Sequence, residues 1–475
     1  MPAFFIIFRF YAEKPLKFGA RFSIISNMKN DEVKAEQNNY YLYVYGCQMN
    51  LHEAEKLAGI LEEKGYKKTD DPLNAQIIAF VTCCIRENAE QKVYGHIGAL
   101  KKYKQKNRGV IIAVGGCMTQ KPEAAQKLHE KFPFVDIIFG THNLPDFAKM
   151  LEEKQKSKKS IIRIAEIDEP EDGLYKKRAS YPNAWINVIY GCDNFCTYCI
   201  VPYVKGREHS RPIAEVVEEV KQVVNEGYKE VTLLGQNVNS YGKEYGENQN
   251  FASLLNAICT EVKGEYRLRF MSNHPKDLTE ELVKTMAAHK NICHSIHLPL
   301  QSGSNRVLKL MNRKYTREDY FAKIDMIKKY MPDCAISTDV MVGFPTETEQ
   351  DFSDTLDVME RVNFASAFMF VYSPREGTPA AKMEGQIAAD VSKDRIMRMV
   401  AAQNDRTARF SKTYEGKTVE ILCEDYDEKK QMFLGRDEYG RMGYFKSDKN
   451  EKGNFVKIKV GNTVGISLYG EKVEE

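Results

Sequence analysis

The sequence contains no apolar run that approaches the length of a membrane span, and no signal peptide with a hydrophobic core and cleavage site is evident. Its net charge of +3 is too small to indicate nucleic-acid binding by itself. The 11 cysteines are odd in number and spread over 475 residues, which excludes the disulfide framework of a small secreted domain. We therefore expect a globular protein of the reducing cytoplasm. Clustered cysteines in that compartment usually bind metal.

The chain is too long for one ordinary hydrophobic core, so two or three domains of an overall α/β class are expected. The predicted segments are an N-terminal extension expected to be disordered (1–39), a three-cysteine domain (40–150), a charged linker (151–182), a central domain (183–411) and a C-terminal module (412–475). The first 27 residues are basic and poor in acids, as in a targeting peptide. We favour the alternative that they precede the real start at Met28.

A CxxxCxxC run at Cys192, Cys196 and Cys199 is the most informative feature of the sequence. Three thiolates at this spacing can hold three irons of a [4Fe–4S] cluster and leave the fourth iron open. The alternative is a zinc site with His209 as the fourth ligand. The run resembles that of the radical S-adenosylmethionine (SAM) enzymes, in which an aromatic residue precedes the third cysteine as Tyr198 does here.

The region from residue 40 to 143 alternates strand and helix patterns, which predicts an open parallel sheet. Predicted strands are 41–45, 77–81, 110–114 and 135–139, with helices at 52–64 and 86–101. Cys47, Cys83 and Cys117 each follow one of the first three strands, where ligands of parallel sheets bind. We expect these thiols to converge and hold a second [4Fe–4S] cluster with an open iron. The alternative is three ordinary buried cysteines.

The other cysteines are left out of this second site. Cys84 is adjacent to Cys83 in sequence and is expected to point elsewhere. Four more lie within apolar helix or strand patterns and are expected in the core: Cys259, Cys293, Cys334 and Cys423.

The central domain repeats the βα pattern six times, as in a partial TIM barrel that is open on one side. Predicted strands are 185–190, 230–234, 266–271, 292–299, 335–342 and 365–372, with helices such as 213–226 and 317–331. Active sites of such barrels lie at the carboxyl ends of the strands, so the expected SAM contacts are Gly235, Gln236, Asn237, Ser272, Gln301 and Asp339. Arg207 and Arg211 are candidates for an RNA backbone or the SAM carboxylate, while helix capping around Ser210 and Pro212 explains the run equally well.

The C-terminal module changes to short apolar runs separated by Gly, Asp and Asn, which predicts a small β-barrel. The predicted strands are 418–423, 431–436, 441–446, 454–459 and 463–468. Small barrels often bind nucleic acid, but acidic and basic residues nearly balance in this one. RNA binding and a packing role therefore both remain open.

Several motifs together resemble the radical SAM methylthiotransferase family, in its MiaB-type branch. They are Tyr45-Gly46-Cys47-Gln48-Met49-Asn50, Thr82-Cys83-Cys84-Ile85-Arg86-Glu87, Leu234-Gly235-Gln236-Asn237-Val238-Asn239-Ser240-Tyr241 and His297-Leu298-Pro299-Leu300-Gln301-Ser302-Gly303. The first-cysteine motifs of the ribosomal-protein and threonylcarbamoyladenosine branches are not present. One departure is Val81, where bacterial members often carry Asn; the ligand beside it is intact.

The resemblance implies an N-terminal methylthiotransferase domain, a radical SAM core and a C-terminal TRAM barrel. It implies two [4Fe–4S] clusters and SAM as cofactors, with one cluster reducing SAM and the other presenting sulfur. The implied reaction adds a methylthio group to C2 of N6-isopentenyladenosine next to the tRNA anticodon. The implied partners are tRNA and an electron donor such as flavodoxin or ferredoxin, and we expect a monomer without a membrane partner.

Three alternatives remain open from the sequence. A methylthiotransferase acting on another tRNA base or on a ribosomal protein side chain belongs to the same broad class. A zinc-stabilised RNA-binding protein that uses the β-barrel belongs to another. A simple electron-transfer ferredoxin is disfavoured because electron carriers need no substrate cavity.

Overall fold

A computed structural model describes residues 38–84, 87–165, 176–246 and 249–473, without the side chains of residues 87–89. Almost all of the predicted N-terminal extension, including Met28, lies outside the described residues. The chain forms two compact units, of which the first ends at Ala179 and also takes in Tyr203–Gly206. The second comprises Ser180–Pro202 and the chain from Arg207 onwards. Within the described residues, no helix is long and apolar enough to cross a lipid bilayer.

The N-terminal unit is built on a six-stranded parallel sheet in the order β2-β1-β3-β4-β5-β6. Its strands are β1 (Asn39–Val44), β2 (Lys67–Lys68), β3 (Ile77–Thr82), β4 (Ile111–Gly116), β5 (Ile137–Phe139) and β6 (Ile161–Arg163). Its helices are α1 (Gln48–Glu63), α2 (Glu87–Lys106), α3 (Pro122–Lys131) and α4 (Phe147–Lys156). The edge strand β6 lies within the segment predicted as a linker.

Helices cover both faces of this sheet, because successive side chains of a strand point to opposite sides. In β3, Ile78 and Phe80 enter one apolar cluster, and Ile77, Ala79 and Val81 enter the other. Every residue of β3 is buried, as expected for a central strand with both faces covered.

The radical-SAM-like half of the second unit contains six parallel strands in two groups of three. The strands are β7 (Asn183–Asn187), β10 (Glu230–Leu234), β11 (Arg267–Phe270), β12 (Ser295–His297), β13 (Ala335–Val342) and β14 (Ser366–Val371), with a small antiparallel pair of β8 (Ile189–Tyr190) and β9 (His209–Ser210). A parallel bridge between Leu268 and Ile292 joins the two groups. This is the open, partial (β/α)6 barrel that the sequence predicts.

Helices accompany these strands, and all of them except the short helix Val201–Lys205 contribute to one large apolar core. They are α5 (Val201–Lys205), α6 (Ile213–Asn225), α7 (Phe251–Glu261), α8 (Glu280–Ala288), α9 (Asn305–Leu310), α10 (Arg317–Tyr330), α11 (Glu349–Val362) and α12 (Ala389–Lys412). Capping boxes at Thr316 and Thr348 fix the first turns of α10 and α11.

The C-terminal module is a closed five-stranded barrel in the order β15-β16-β17-β19-β18. Its strands are β15 (Thr418–Asp427), β16 (Met432–Arg436), β17 (Met442–Phe445), β18 (Phe455–Val464) and β19 (Ser467–Lys472). The barrel is as predicted, but the prediction of the last strand at 463–468 is wrong. A register shift between Val460 and Asn462 keeps β18 paired through Val464, so the last strand begins later.

The barrel is attached to the amino-terminal ends of the parallel strands by buried charges. Glu230, the first residue of β10, is fully buried and binds Arg269 at 3.1 Å and Arg436 of the barrel at 2.8 Å. Arg267, the first residue of β11, donates to the backbone oxygens of Arg436 and Glu420. This face of the barrel therefore has a packing role, at the end of the strands opposite to their carboxyl ends.

Candidate functional site

The three strand-end cysteines lie at one edge of the N-terminal sheet. Cys47 is the N-cap residue of α1, shortly after β1, whereas Cys83 and Cys117 directly follow β3 and β4. Strands β1, β3 and β4 are parallel neighbours, so their carboxyl ends meet at the same edge. The predicted convergence of the loops that carry these cysteines is therefore present in the fold.

Short polar contacts hold these loops together. The Asn50 side-chain amide donates to the backbone oxygen of Tyr45 at 2.5 Å and to that of Thr82 at 3.0 Å. The Thr82 hydroxyl in turn donates to the backbone oxygen of Gly115 at 2.7 Å. One chain of hydrogen bonds thus connects the ends of all three strands.

The glycines before two of the cysteines are required by close approach. Gly46 has φ +117°, and a Cβ there would lie 2.6 Å from the Cys83 Cβ. Gly116 has φ +108°, and a Cβ there would lie 2.7 Å from the Thr82 backbone oxygen. Any other residue would be strained and would push the cysteine loops apart.

The charge environment of this first triad is set by burial and by one lysine. Burial raises the pKa of the Cys47 thiol, an effect opposed by backbone hydrogen bonds from Asn50 and Met49 and by the charge of Lys205. The pKa of Cys117 is lowered to about 6, first by a hydrogen bond with the Cys84 side chain and then by Lys205, against the effect of burial.

The contact between Cys84 and Cys117 corrects the expectation that Cys84 points away from the site. Cys84 lies beyond the end of the regular strand β3, where the alternation of side chains no longer holds. The side chains that follow a strand are placed by the loop, which the sequence pattern does not specify.

The second cysteine triad lies in one loop after β8. Cys192 and Cys196 are buried and Cys199 is partly buried, and the Cys199 amide donates to the Cys196 carbonyl at 2.9 Å. The Asn194 side-chain amide lies 3.5 Å from the Cys192 sulfur, and the Arg313 guanidinium lies 3.4 Å from the Cys196 sulfur. The loop therefore supplies thiols together with hydrogen-bond donors aimed at sulfur.

Burial raises the pKa of two thiols of this loop. It raises the pKa of Cys192 to about 11 and that of Cys199 to about 12, and the neighbouring Cys196 adds to both shifts. Binding of a metal centre must therefore displace protons from this loop, as metal binding to thiols does in general.

Neither triad is arranged around a single ion. Across residues 38–84, 87–165, 176–246 and 249–473, no group of three or more His, Cys, Asp or Glu side chains forms a site for one metal ion. His209, the predicted alternative zinc ligand, pairs through its backbone in β9 with Tyr190 of β8.

The predicted SAM contacts follow the carboxyl ends of three strands or lie on a fourth. Gly235, Gln236 and Asn237 follow β10, and Ser272 follows β11, where its backbone oxygen accepts a hydrogen bond from the amide of Val238. The strand-end loops of β10 and β11 are therefore in direct contact.

The other two predicted contacts form a second neighbouring pair. The backbone amide of Gln301 donates to the backbone oxygen of Asp339 on β13 at 2.8 Å. The Asp339 carboxylate lies 3.5 Å from His297 Nε2. His297 is the last residue of β12. It was not predicted as a SAM contact, although it is the first residue of the motif His297–Gly303.

Of the two candidate arginines in the 206–212 run, one has a structural role. Arg211 is buried, binds Glu219 at 2.7 Å and donates to the backbone oxygen of Asn187 at 2.9 Å, so it is not available to an RNA backbone. Arg207 is exposed and pairs with Asp193 in the cysteine loop at 3.0 Å. Ser210 contacts Glu244 rather than capping α6.

Three family models match successive parts of the chain. Residues 39–140 match the Uncharacterized protein family UPF0004, residues 186–359 match the Radical SAM superfamily and residues 412–473 match the TRAM domain. The first range covers the parallel sheet without β6, the second covers the partial barrel without β14, and the third covers the closed barrel.

Curated relatives cover nearly the whole chain. A tRNA-2-methylthio-N(6)-dimethylallyladenosine synthase of Clostridium botulinum (strain Langeland) is 47% identical over 91% of this chain and 97% of the relative. The protein of the same name from Acetivibrio thermocellus is 44% identical over 94% of this chain and 93% of the relative. The chain belongs to the family of tRNA-2-methylthio-N(6)-dimethylallyladenosine synthases.

A solved structure supports the fold of this synthase family member. The radical SAM methyltransferase TsrM of Kitasatospora setae, solved with tryptophan and a SAM analogue, matches with a TM-score of 0.55 at 14% identity. The match covers 73% of this chain and 75% of that one. The predicted α/β class, with a parallel sheet, a partial barrel and a TRAM barrel, is confirmed.

The radical SAM fold implies a [4Fe–4S] cluster and SAM as cofactors, and the residues present fit both. Cys192, Cys196 and Cys199 offer three sulfur ligands, with donors from Asn194 and Arg313. Hydrogen bonds to the ligating sulfurs are an ordinary means of tuning such clusters.

Buried polar atoms without a hydrogen-bond partner gather at the carboxyl ends of three neighbouring strands of the partial barrel. Among the described residues, five side chains at the carboxyl ends of β7, β10 and β11 carry buried polar atoms without a hydrogen-bond partner: Asn187, Asn237, Asn239, Asn273 and His274. Each such atom costs about 1–3 kcal/mol unless a ligand or water satisfies it. Of these five, the sequence prediction contained only Asn237, although Asn239, Asn273 and His274 stand beside its candidates.

Proposed function

We propose that this chain is a radical SAM tRNA methylthiotransferase that modifies C2 of N6-isopentenyladenosine next to the anticodon. The observation that carries the proposal is the presence of two separate cysteine triads, one in the CxxxCxxC loop and one at three strand ends. The printed name of the curated relatives, which describes a 2-methylthio-N(6)-dimethylallyladenosine product, supports the choice of substrate.

The ligands of the proposed clusters are Cys192, Cys196 and Cys199 for one and Cys47, Cys83 and Cys117 for the other. When bound, the first cluster supplies the electron that cleaves SAM and the second supplies the sulfur that is transferred. Two clusters in one chain separate the activation of an unreactive C–H bond from the delivery of sulfur.

The protein's own residues bind, orient and exclude water. Burial of Cys192 and Cys196 keeps water from the first cluster, and Arg313 donates to the sulfur of Cys196. We propose that Asn187, Asn237 and His274 turn their unpaired polar atoms to SAM. Burial and the charge of Arg313 hold the pKa of His274 well below its usual range, so its imidazole is neutral. Its Nδ1 accepts from the backbone amide of Lys276, so the unpaired Nε2 carries the proton and is a donor.

The Asp339 carboxylate offers a second type of contact. It is partly exposed on β13 and pairs with His297, whose other ring nitrogen contacts the Ser337 hydroxyl at 3.0 Å. Asp339 lies three residues before the end of β13, and an acidic group near the carboxyl end of a barrel strand suits the amino group or the ribose hydroxyls of SAM.

We also propose that the chain is a cytoplasmic monomer that receives electrons from a flavodoxin or ferredoxin. Its proposed segments are the three-cysteine domain (40–150), the linker (151–182), the central domain (183–411) and the C-terminal barrel (412–475). Clustered thiols that bind iron require a reducing compartment.

The experiment that tests the proposal is nucleoside analysis of tRNA. Purified chain, reconstituted without oxygen, is incubated with SAM, a reductant and tRNA from a strain that lacks the modification. Mass spectrometry should show gain of one methylthio group on N6-isopentenyladenosine. Gain on another tRNA base, or on a ribosomal protein offered in parallel, would contradict the proposed substrate.

A further inference from the structure

Lys205 belongs to the N-terminal unit although it follows the radical SAM cysteine loop in sequence. The four residues Tyr203–Gly206 group with the N-terminal unit, whereas the residues on either side group with the second. The Lys205 ammonium donates to the Thr141 hydroxyl at 2.8 Å, and only 8% of the residue is exposed. A short piece of the central sequence thus places a buried cation in the three-cysteine domain.

Lys205 lies at the edge of the sheet that carries the cysteines. Its partner Thr141 comes two residues after Phe139, which pairs with Gly115 of β4, so Thr141 is level with Cys117. Burial would lower the pKa of Lys205, but the charges of Cys117, Glu53 and Cys47 raise it above its usual value. The ammonium is therefore placed beside the thiols that are proposed to bind the second cluster.

A ligated cluster would be a suitable partner for this ammonium. A buried ammonium loses its hydration and is stabilised by a negative group. Three thiolates bring more negative charge than an oxidised [4Fe–4S] core neutralises, so a cluster on Cys47, Cys83 and Cys117 would be a net anion.

We propose that Lys205 is a positioning residue for the N-terminal cluster: its buried ammonium balances the negative charge of the cluster held by Cys47, Cys83 and Cys117 and makes it easier to reduce. The inference rests on the proposed second cluster. Net charge and hydrogen bonds near the sulfurs set the reduction potential of such clusters, so one buried cation shifts the potential upwards.

The test isolates the N-terminal cluster in the full chain. Cys192, Cys196 and Cys199 are replaced by Ala, which leaves one proposed cluster, and its midpoint potential is measured by a redox titration followed by electron paramagnetic resonance. Lys205→Met removes the charge at similar size, and Lys205→Arg retains it. Iron and sulfide contents are measured on the same samples.

The matched control is Lys154→Met, which removes another lysine of the same unit whose side chain is only 10% exposed. Lys154 binds Asp136 at 3.0 Å at the amino-terminal edge of the sheet, opposite to the cysteines, and Lys104 still pairs with Asp136 in this variant. We expect Lys205→Met to move the midpoint to a more negative potential or to lose iron, while Lys205→Arg and Lys154→Met stay close to the parent.

Three results would overturn the role of Lys205. The first is an unchanged midpoint potential and iron content in Lys205→Met. The second is an equal loss in Lys205→Met and Lys205→Arg, which would indicate packing rather than charge. The third is a shift of the midpoint potential in Lys154→Met as large as that in Lys205→Met. Absence of iron in the parent that carries Lys205 would instead refute the second cluster, and with it the proposed function.

Discussion

The two cysteine triads of this chain are assembled in opposite ways. Cys192, Cys196 and Cys199 lie within eight residues of one loop, whereas Cys47, Cys83 and Cys117 come from three strand ends separated by more than thirty residues each. The loop triad depends on local backbone geometry. The strand-end triad depends on the register of the sheet, on Gly46 and Gly116 and on the hydrogen bonds of Asn50 and Thr82.

The two triads nevertheless share one feature. Each has a buried cation beside its sulfurs, Arg313 for the loop and Lys205 for the strand ends, and each cation is far in sequence from at least some of the thiols it serves. The two triads therefore differ in how far apart their cysteines lie in the sequence. They agree in having a cation that can balance the negative charge of the thiolates. The following predictions separate these two aspects.

The largest effect is expected from the cysteines themselves. Cys192→Ala should abolish SAM cleavage and all product, because the loop cluster supplies the electron. Cys83→Ala should spare SAM cleavage but stop sulfur insertion. The measurements are 5′-deoxyadenosine by chromatography and methylthiolated nucleoside by mass spectrometry. Retained 5′-deoxyadenosine in Cys192→Ala, or intact product in Cys83→Ala, would show that the roles are wrongly assigned.

A substitution at Gly46 should remove one triad and leave the other. In Gly46→Ala the new methyl group would lie 2.6 Å from the Cys83 Cβ, so Cys47 and Cys83 cannot keep their places. We expect the iron content to fall by about four atoms per chain, the content of one cluster. The control is Gly65→Ala, which also has positive φ but meets nothing within 4 Å. Equal iron in both variants would contradict the close-approach argument.

Exchange of the loop cation should affect only the loop cluster. Arg313→Met removes the donor to the Cys196 sulfur, and loss of such an outer contact typically reduces activity or metal affinity by about 10–100-fold. SAM cleavage should slow and the potential of the loop cluster should fall, while the N-terminal cluster keeps its potential. Arg313→Lys, which preserves the charge, serves as the control. A change in both clusters would mean that the two sites are not independent.

The smallest effect on either triad is expected from Glu230, at the opposite end of the strands. Burial alone would raise its pKa, but Arg269 and Arg436 lower it to about 2. A lowered folded-state pKa gives stability that is complete above about pH 4.5 and is lost as the pH falls towards about 2. Glu230→Gln should therefore cost about 3–5 kcal/mol near neutral pH and progressively less in acid.

Thermal unfolding of the cluster-free chain at about pH 7 and about pH 3 measures this effect. The control is Glu265→Gln, which breaks an exposed pair with Lys229 that is worth at most about 1 kcal/mol. A Glu230→Gln penalty that is constant with pH would contradict the assignment of Glu230 as an ionised group.

The sequence predicts most of the architecture because its signals are periodic. Strands 230–234 and 335–342 agree with β10 and β13 residue for residue, because both are rich in β-branched residues and are followed by a glycine. The last barrel strand was misplaced because a register shift inside β18 has no periodic signature. The CxxxCxxC spacing and the cysteines that follow predicted strands are equally visible in the sequence, which is why both triads could be proposed from it.

Contacts between distant segments were not predictable. Lys205 is an ordinary basic residue in sequence, and its burial beside Cys117 depends on the grouping of Tyr203–Gly206 with the N-terminal unit. The residues around Arg313 in the sequence do not indicate its contact with the Cys196 sulfur either. Arg211 was misinterpreted because its partner Glu219 is eight residues away, on a helix whose contacts depend on tertiary packing.

The most direct test of the account is the count of iron and acid-labile sulfide in oxygen-free preparations of the full chain and of its two triad variants. We predict about eight iron and about eight sulfide per chain, and about four of each when either triad is replaced by Ala. A full chain with only about four iron, or a strand-end variant that keeps all of its iron, would contradict the existence of two separate clusters.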